Sequence, residues 1–349
     1  MSHTEVLPQN SLIAVSKLKK RFNLEAGFFA PLGRYVYAVN DVSFSIEKNE
    51  TYGLAGESGC GKTTTARLLV RMYEADEGEI VFKDRPAADS SITPNGIDVR
   101  KLKGPDLKHY REKVKYIFQD PARSLNPRMT VFEVLTSGAR WSISGSGKER
   151  DKNLREEAAA ILEEVGLSAA DLERRPAEFS GGQRQRISIA RGLIMKPSLL
   201  ICDEVVSALD VSIQAQILNL LLDLRDKRKS SGQELSFLFI AHDLKVASYF
   251  CDRIGVMYQG EIMEEAEAET LWKNHLHPYT ELLFSSVGGK NSASIAAPVL
   301  QGELKSATAK IESCAFAARC PYAKNRCFNE KPELRKAAEK HFVRCLRNF

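Results

Sequence analysis

Nine consecutive residues carry the clearest chemistry in this chain: Gly56, Glu57, Ser58, Gly59, Cys60, Gly61, Lys62, Thr63 and Thr64. They fit the pattern G-x-x-x-x-G-K-[ST]. Small residues let successive backbone N–H groups turn inward and form a concave anion site. A helix opening near Lys62 adds the positive end of its dipole. The Lys62 ammonium then reaches the β- and γ-phosphates of a nucleoside triphosphate, and the Thr63 hydroxyl suits Mg²⁺. Residues 51–55 read as the strand before this loop and 64–72 as the helix after it. A glycine-rich turn that matches by chance is the plain alternative. Strand, loop and helix in the required order argue against it.

A second group is Phe179-Ser180-Gly181-Gly182-Gln183, followed by a helical run over 187–195. Ser180, Gly181 and Gly182 can present a hydroxyl and backbone N–H groups at a helix N-terminus, again suited to phosphate. Taken alone, this is an ordinary helix cap. It does not stand alone. The next apolar run, 199–202, ends in Asp203 and Glu204. A buried strand that delivers two carboxylates is the place for a Mg²⁺-holding Asp and a water-activating Glu.

These groups need a scaffold, and the pattern supplies one. Residues 11–118 alternate short β-rich runs with the helix after the loop. From 119 to about 195 the chain reads as mostly helical, with an Ala/Glu-rich amphipathic stretch at 149–165. Over 198–265 it returns to β-α-β alternation, with strands at 198–202, 235–241 and 253–258 and helices at 212–228 and 244–251. Such alternation predicts an α/β fold: a mainly parallel sheet covered by helices. Residues 1–10 read as a tail, and the Ser/Ala/Gly-rich stretch 285–310 as a linker.

Composition sets limits. A chain of 349 residues suffices for one large domain and an appendage. Apolar content of 43% and charged content of 27% are ordinary globular values. A net charge of +5 argues against a nucleic-acid stripe or a polybasic membrane patch. No apolar run approaches the roughly 18 residues that a membrane span needs. The polar start MSHTEVLPQN lacks the apolar core of a secretory signal, so a cytosolic protein is expected.

In this order the motifs resemble those of the ATP-binding cassette ATPases, the nucleotide-binding subunits of membrane transporters. The resemblance covers about residues 11–290. It implies that Phe22 stacks on adenine, although Tyr35 or Tyr37 compete for that role because residues 23–37 insert before the next strand. It implies that Gln119, in Tyr116-Ile117-Phe118-Gln119-Asp120, senses Mg²⁺ and the attacking water. Ser180 to Gln183 match the family signature, Asp203 and Glu204 the second acidic motif, and Asp210, in Ser207-Ala208-Leu209-Asp210, the loop that crosses a dimer interface. His242 matches the switch histidine. Val205 departs from the family, which usually has Pro after the acidic pair; proline there would stiffen the loop. The fold implied adds an antiparallel β layer and a helical subdomain at about 120–195.

The C-terminus holds a further constellation. Four of the seven cysteines, Cys314, Cys320, Cys327 and Cys345, are spaced C-x5-C-x6-C-x17-C. Cys60, Cys202 and Cys251 read as small core or loop residues. Clustered cysteines in a cytosolic chain point to a metal site rather than disulfides. The spacing leaves zinc and iron–sulfur equally open, since it shows neither C-x2-C pairs nor a ferredoxin run. The segment resembles the C-terminal extension of oligopeptide/dipeptide permease ATPases. His277-Pro278-Tyr279-Thr280, Cys314-Ala315-Phe316-Ala317-Ala318-Arg319-Cys320, Arg123-Ser124-Leu125-Asn126-Pro127-Arg128 and Gly27-Phe28-Phe29 carry this likeness, which favours the second of two paired subunits. In that group the four cysteines imply a [4Fe–4S] cluster, with zinc as the alternative. By itself, His277-Pro278-Tyr279 also reads as a plain helix start. No sequence feature links the cysteines to the ATP site, so a structural or assembly role is expected.

The resemblance thus implies an ATPase at the cytoplasmic face of the inner membrane, attached peripherally. Its implied partners are a second ATPase subunit in a heterodimer, two transmembrane permease subunits and, indirectly, an extracytoplasmic solute-binding protein; no nucleic acid is involved. Peptide is the expected cargo, with nickel, glutathione or oligosaccharide as alternatives. A cassette ATPase of DNA repair or translation is the alternative outside transport. The expected division is a tail (1–10), a cassette (11–284), a linker (285–310) and a cysteine-rich metal module (311–349).

Overall fold

The computed structural model describes residues 10–23, 35–83, 96–140, 147–286 and 311–349. Most of the expected tail and linker and the Gly27-Phe28-Phe29 segment lie outside these residues. The chain divides into two compact units, one formed by residues up to Leu102 together with Leu238–Phe349, the other by Lys103–Phe237.

The first unit contains two sheets. One is antiparallel, in the order β2-β1-β4-β5, from β1 (Ser11–Asn23), β2 (Tyr35–Glu47), β4 (Glu77–Phe82) and β5 (Ile97–Asp98). The other runs β11-β12-β10-β9-β3-β8. It includes β3 (Thr51–Ala55), β8 (Ser236–Ala241) and β9 (Arg253–Tyr258), with β3 between the other two. β3 and β8 are buried along their whole length, the mark of strands covered on both faces. β3 and β9 are parallel, with Tyr52 opposite Arg253 and Ala55 opposite Val256.

The expectation of a mainly parallel sheet requires correction here. Gln259 and Gly260 both have positive φ, 43° and 81°, and join β9 to β10 (Glu261–Glu267) in two residues. So short a loop can only reverse the chain, and the pair is antiparallel. β12 (His341–Val343) then adds to β10, and β11 (Arg335–Ala338) to β12, both antiparallel. The sheet is therefore mixed, and the cysteine-bearing C-terminal segment completes its edge. Helices α8 (Leu244–Phe250), α9 (Ala268–Asn274), α10 (Pro278–Ser286) and α11 (Asn325–Asn329) also belong to this unit. So does α1 (Lys62–Leu69), which opens at Lys62, as the loop motif implies, directly after left-handed Gly61.

The second unit holds α2 (Gly104–Lys113), β6 (Val114–Ile117), α3 (Pro121–Ser124), α4 (Val131–Thr136), α5 (Gly147–Glu164), α6 (Gly181–Leu193), β7 (Leu199–Asp203) and α7 (Val211–Ser230). In α5, Leu154, Ala158, Ile161 and Leu162 recur at helical spacing and are buried. They meet a core that includes Val131, Val134 and Leu135 of α4 and Ile187 and Leu193 of α6. Among the described residues, no helix is long and apolar enough to cross a membrane.

The C-terminal segment is tied down by buried charge. Glu264 of β10 is fully buried and accepts hydrogen bonds from the N–H groups of Leu276 (2.6 Å) and His277 (3.0 Å). It also pairs with the His341 ring at 2.7 Å. Burial raises its pKa, but these bonds outweigh burial and hold the carboxyl below its ordinary value. His277 caps α10: its Nδ1 accepts from the Tyr279 N–H at 3.0 Å. Burial pushes the His277 ring down to about 4, against the upward pull of Glu264. Its folded pKa thus lies below the unfolded value. Between the two the unfolded chain binds more protons, so this group's contribution is complete above about pH 6.5 and fades as pH falls towards 4. From pH 7 to 4.5, wild-type stability should therefore lose about 2 kcal/mol through this residue. His277→Asn keeps a capping acceptor without a titrating group. Urea unfolding should show a smaller pH loss in this variant, whatever its stability at pH 7; equal losses would exclude His277 as the source.

Candidate nucleotide-binding site

β3 delivers the chain into the loop 56–61 at the centre of the first unit, and α1 leads it away. Backbone crowding explains two of the glycines. A Cβ on Gly56 (φ 148°) would lie 2.2 Å from the Met257 carbonyl oxygen, and one on Gly61 (φ 112°) 2.2 Å from that of Ala38. Neither position accepts a side chain. The Gly260 N–H donates to Cys60 O at 2.8 Å and the Asn40 N–H to Gly260 O at 2.7 Å, which fixes the loop to the β9–β10 turn and to β2.

Lys62 is only 4% exposed. Its ammonium donates to Gly56 O (2.7 Å), Glu57 O (2.9 Å) and Cys60 Sγ (3.7 Å). A buried cation whose partners here are all neutral fits a site for anionic phosphate. Thr63 and Thr64 stand half-buried in the first turn of α1, while Ser58 and Gly59 are exposed. Cys60 is buried, and burial raises its thiol pKa, in keeping with a core residue.

Phe22 is half-buried and meets Tyr73 edge-on, ring centres 5.2 Å apart, with the Lys20 ammonium 5.4 Å from its own ring. Its β2 partner is Val36, while Arg21 and Asn23 pair with Tyr37 and Tyr35. Side chains alternate along a strand, so both tyrosines take the face opposite Phe22. The Arg21 guanidinium, 4.6 Å from the Tyr35 ring, marks that other face. His242, also of this unit, is exposed just after β8, and Asp243 caps α8 by accepting from the Lys245 N–H at 2.7 Å.

In the second unit, β6 and β7 run parallel with a constant register, Val114 opposite Leu199 and Ile117 opposite Cys202. Two residues further on, the same offset brings Gln119 to Glu204, and Gln119 Nε2 donates to Glu204 Oε2 at 2.7 Å. Asp203 ends β7 in a buried position and accepts from the Tyr116 hydroxyl. Tyr116 carries no expected role in the sequence; its place in β6, three residues before Gln119, was the only signal. Glu204 is half-buried and holds a left-handed φ of 50°. Ser180 does cap α6: its Oγ accepts from the Gln183 N–H (3.3 Å), and Gln183 Oε1 accepts from the Ser180 N–H (3.0 Å). Ser180, Gly181 and Gln183 remain exposed, whereas a Cβ on half-buried Gly182 would meet Ile213 at 2.9 Å. Asp210 is exposed at the start of α7, beside Val211, which is 82% exposed.

The structure also shows contacts that sequence reasoning missed. The Glu57 N–H donates to the Tyr279 hydroxyl at 3.0 Å, so the helix start at His277–Tyr279 also touches the loop. Arg319 pairs with the Glu57 carboxylate, a link between the cysteine segment and the loop that no sequence feature announced. Cys314, Cys320, Cys327 and Cys345 form one electrostatic neighbourhood. Burial pushes Cys314 up to about 11, helped by the other three sulfurs. Cys314 N–H donates to Cys327 O at 3.0 Å. Among the described residues, however, no group of three or more His, Cys, Asp or Glu side chains is arranged to hold a metal ion.

Comparison with known proteins follows this geometry. Residues 39–207 match the ABC transporter family, and residues 263–327 the C-terminal region of oligopeptide/dipeptide transporters. The chain is 42% identical to the oligopeptide transport ATP-binding protein AppF of Bacillus subtilis over 341 residues, 97% of each chain. Among solved structures, a dimeric bacterial ABC transporter cassette aligns at TM-score 0.59 and 25% identity, covering 73% of this chain and 98% of that one. A post-hydrolysis state of a dimeric cassette bound to ADP and phosphate aligns at TM-score 0.58 and 26% identity over the same shares. The crowding at Gly61 gives a direct test. Gly61→Ala should abolish saturable binding of a fluorescent ATP analogue, while Gly138→Ala, whose added Cβ meets nothing within 4 Å, should bind as wild type. Unchanged binding by Gly61→Ala would refute the loop as the phosphate site.

Proposed function

We propose, because this chain belongs to the ABC transporter ATP-binding proteins of the oligopeptide/dipeptide group, that its motif residues divide the work of one ATP-driven cycle as follows. The protein is an ATPase that energises peptide import. Phe22 offers its face to adenine. The amides of Gly56 to Gly61 and the Lys62 ammonium hold the phosphates, and Thr63, Gln119 and Asp203 hold Mg²⁺, Asp203 through water. Bound Mg²⁺ supplies charge neutralisation at the phosphate oxygens. Glu204 polarises the attacking water and Gln119 orients it; the hydrogen bond between these two side chains is the observation that carries this assignment. His242 contacts the γ-phosphate.

Ser180 and Gly182 serve the nucleotide of an opposing subunit, with Asp210 at that interface. The exposure of Ser180, Asp210 and Val211 supports this reading. The opposing subunit is a second ATPase in a heterodimer. ATP-driven closure then shifts the population of two membrane-spanning permease subunits on the cytoplasmic face. Within the chain the proposed division remains a cassette over 11–284, with a helical subdomain at about 120–195, a connection over 285–310 and the cysteine-rich segment over 311–349.

A [4Fe–4S] cluster on Cys314, Cys320, Cys327 and Cys345 is part of the proposal. The Cys314 N–H bond to Cys327 O at 3.0 Å, together with the upward push of the other three sulfurs on the Cys314 thiol, supports it. A cubane spreads its ligands wider than a single ion does, whereas zinc needs all its thiolates within about 2.3 Å of one point. Zinc is the alternative, and either metal centre requires the four thiolates to draw together, because among the described residues no group of three or more is arranged to hold a metal ion. Anaerobically purified protein should be brown and carry iron and acid-labile sulfide in equal amounts, and Cys314→Ser should bleach it. Stoichiometric zinc without iron would overturn the cluster.

The catalytic assignment has its own test. Glu204→Gln should keep ATP binding and lower hydrolysis by about 10²- to 10⁴-fold, since it removes the base and leaves the phosphate site intact. Near-normal turnover of this variant in the assembled transporter would refute the role of Glu204.

A further inference from the structure

Glu57, the second residue of the phosphate loop, is held at three points. Its N–H donates to the Tyr279 hydroxyl at 3.0 Å, and its carbonyl accepts from Lys62 Nζ at 2.9 Å. Its carboxylate receives both arms of the Arg319 guanidinium, Nη1 to Oε2 at 3.0 Å and Nη2 to Oε1 at 2.9 Å. This fork-to-fork geometry fixes direction as well as distance. Arg319 Nη1 also donates to the Tyr258 hydroxyl at 3.3 Å.

The surroundings keep this pair out of bulk water. Tyr258, Tyr279 and Phe316 pack with ring centres 4.7 to 5.4 Å apart. The guanidinium lies 5.6 Å from the Tyr258 ring and 5.9 Å from that of Phe316. The side chains of Arg319 and Glu57 are only 28% and 19% exposed. A bidentate, shielded pair with aromatic walls is a stronger restraint than an open surface ion pair. Arg319 itself ends a short 3-10 turn, Ala317–Arg319, between Cys314 and Cys320.

We propose that Arg319 is a positioning residue for nucleotide binding: through Glu57 it holds the first half of the phosphate loop, so the C-terminal segment sets the geometry in which triphosphate is received. The proposal rests on the reading of residues 56–63 as the phosphate site. Lys62 leans on the Glu57 carbonyl, so a displaced Glu57 shifts both the loop amides and the ammonium that meet phosphate. Arg319 and Glu57 take no part in the proposed polarisation of water by Glu204, so the loss expected is one of affinity rather than turnover.

The experiment uses the full chain in the assembled transporter, with ATP titrated in steady state and a fluorescent ATP analogue at equilibrium. Arg319→Ala should raise the KM for ATP about five- to tenfold and leave kcat within about twofold. Glu57→Gln keeps the shape of the side chain and removes its charge, and it should act in the same direction. The double variant should be no weaker than the worse single one, because both break the same link. Arg319→Lys keeps the charge without the fork and should recover part of the affinity. Independent, multiplying losses, or a fall in kcat at unchanged KM, would overturn the proposal. Lys62→Ala is the control for the underlying reading. Normal nucleotide binding by Lys62→Ala would sink the phosphate site itself. Lost binding there beside wild-type binding in Arg319→Ala would sink only the role of Arg319.

Discussion

Three stretches of backbone meet at the phosphate loop with no room for a single added carbon, and much of the first unit is arranged around that crowding. The loop passes under the Ala38 carbonyl of β2 and the Met257 carbonyl of β9, and glycine stands at both points of closest approach. Interiors packed at this density do not deform gradually. The β9–β10 turn must be tight and left-handed, because its Gly260 bonds both to Cys60 and to Asn40. β10 then runs antiparallel beside β9, and its buried carboxylates become the anchors for everything that follows.

Those anchors help hold the C-terminal segment in place. Glu261 accepts from Asn40 at 2.9 Å and pairs with Lys331 at 2.6 Å. Glu265 accepts from the Tyr52 hydroxyl at 2.8 Å. Arg344 of the terminal segment donates to Ile262 O at 3.0 Å and to the Asp41 carboxylate at 3.3 Å. A buried charge is tolerable only when paired and hydrogen-bonded, so each of these side chains specifies its partner. The segment is thus located by polar complementarity in addition to its buried Phe316 and Val343.

What the sequence made legible follows from the reach of each signal. The phosphate loop was readable because few residue types permit its backbone, and all of them lie within nine positions. Ser180 was readable as a cap because Gln183 follows at the spacing a capping box requires. Gln119 and Glu204 were nameable singly, but their pairing came from a strand register that no local pattern encodes. Tyr116 entered the sequence reading only as a flank of Gln119. Arg319 and Tyr279 were invisible as partners of Glu57 because 262 and 222 residues separate them from it. β11 escaped because Arg335 to Ala338 carry no alternating pattern; all four are exposed, and the strand takes its form from its neighbour. The mainly parallel sheet failed as an expectation because the two-residue turn at Gln259-Gly260 was not read as one.

The same separations govern when the phosphate loop is complete during synthesis. β3 emerges early, yet the strand beside it is β9, and the Thr51 N–H bonds to Asp252, 201 residues later. All of Lys103–Phe237 must leave the ribosome in between. That intervening unit is continuous in sequence and rich in local helical contacts, so it gains its structure first. The loop waits unpaired, its strand an open apolar edge, until the last third of the chain arrives. Long-range closure of this kind is slow, and it makes a nascent chain halted before β9 a substrate for chaperones rather than for ATP.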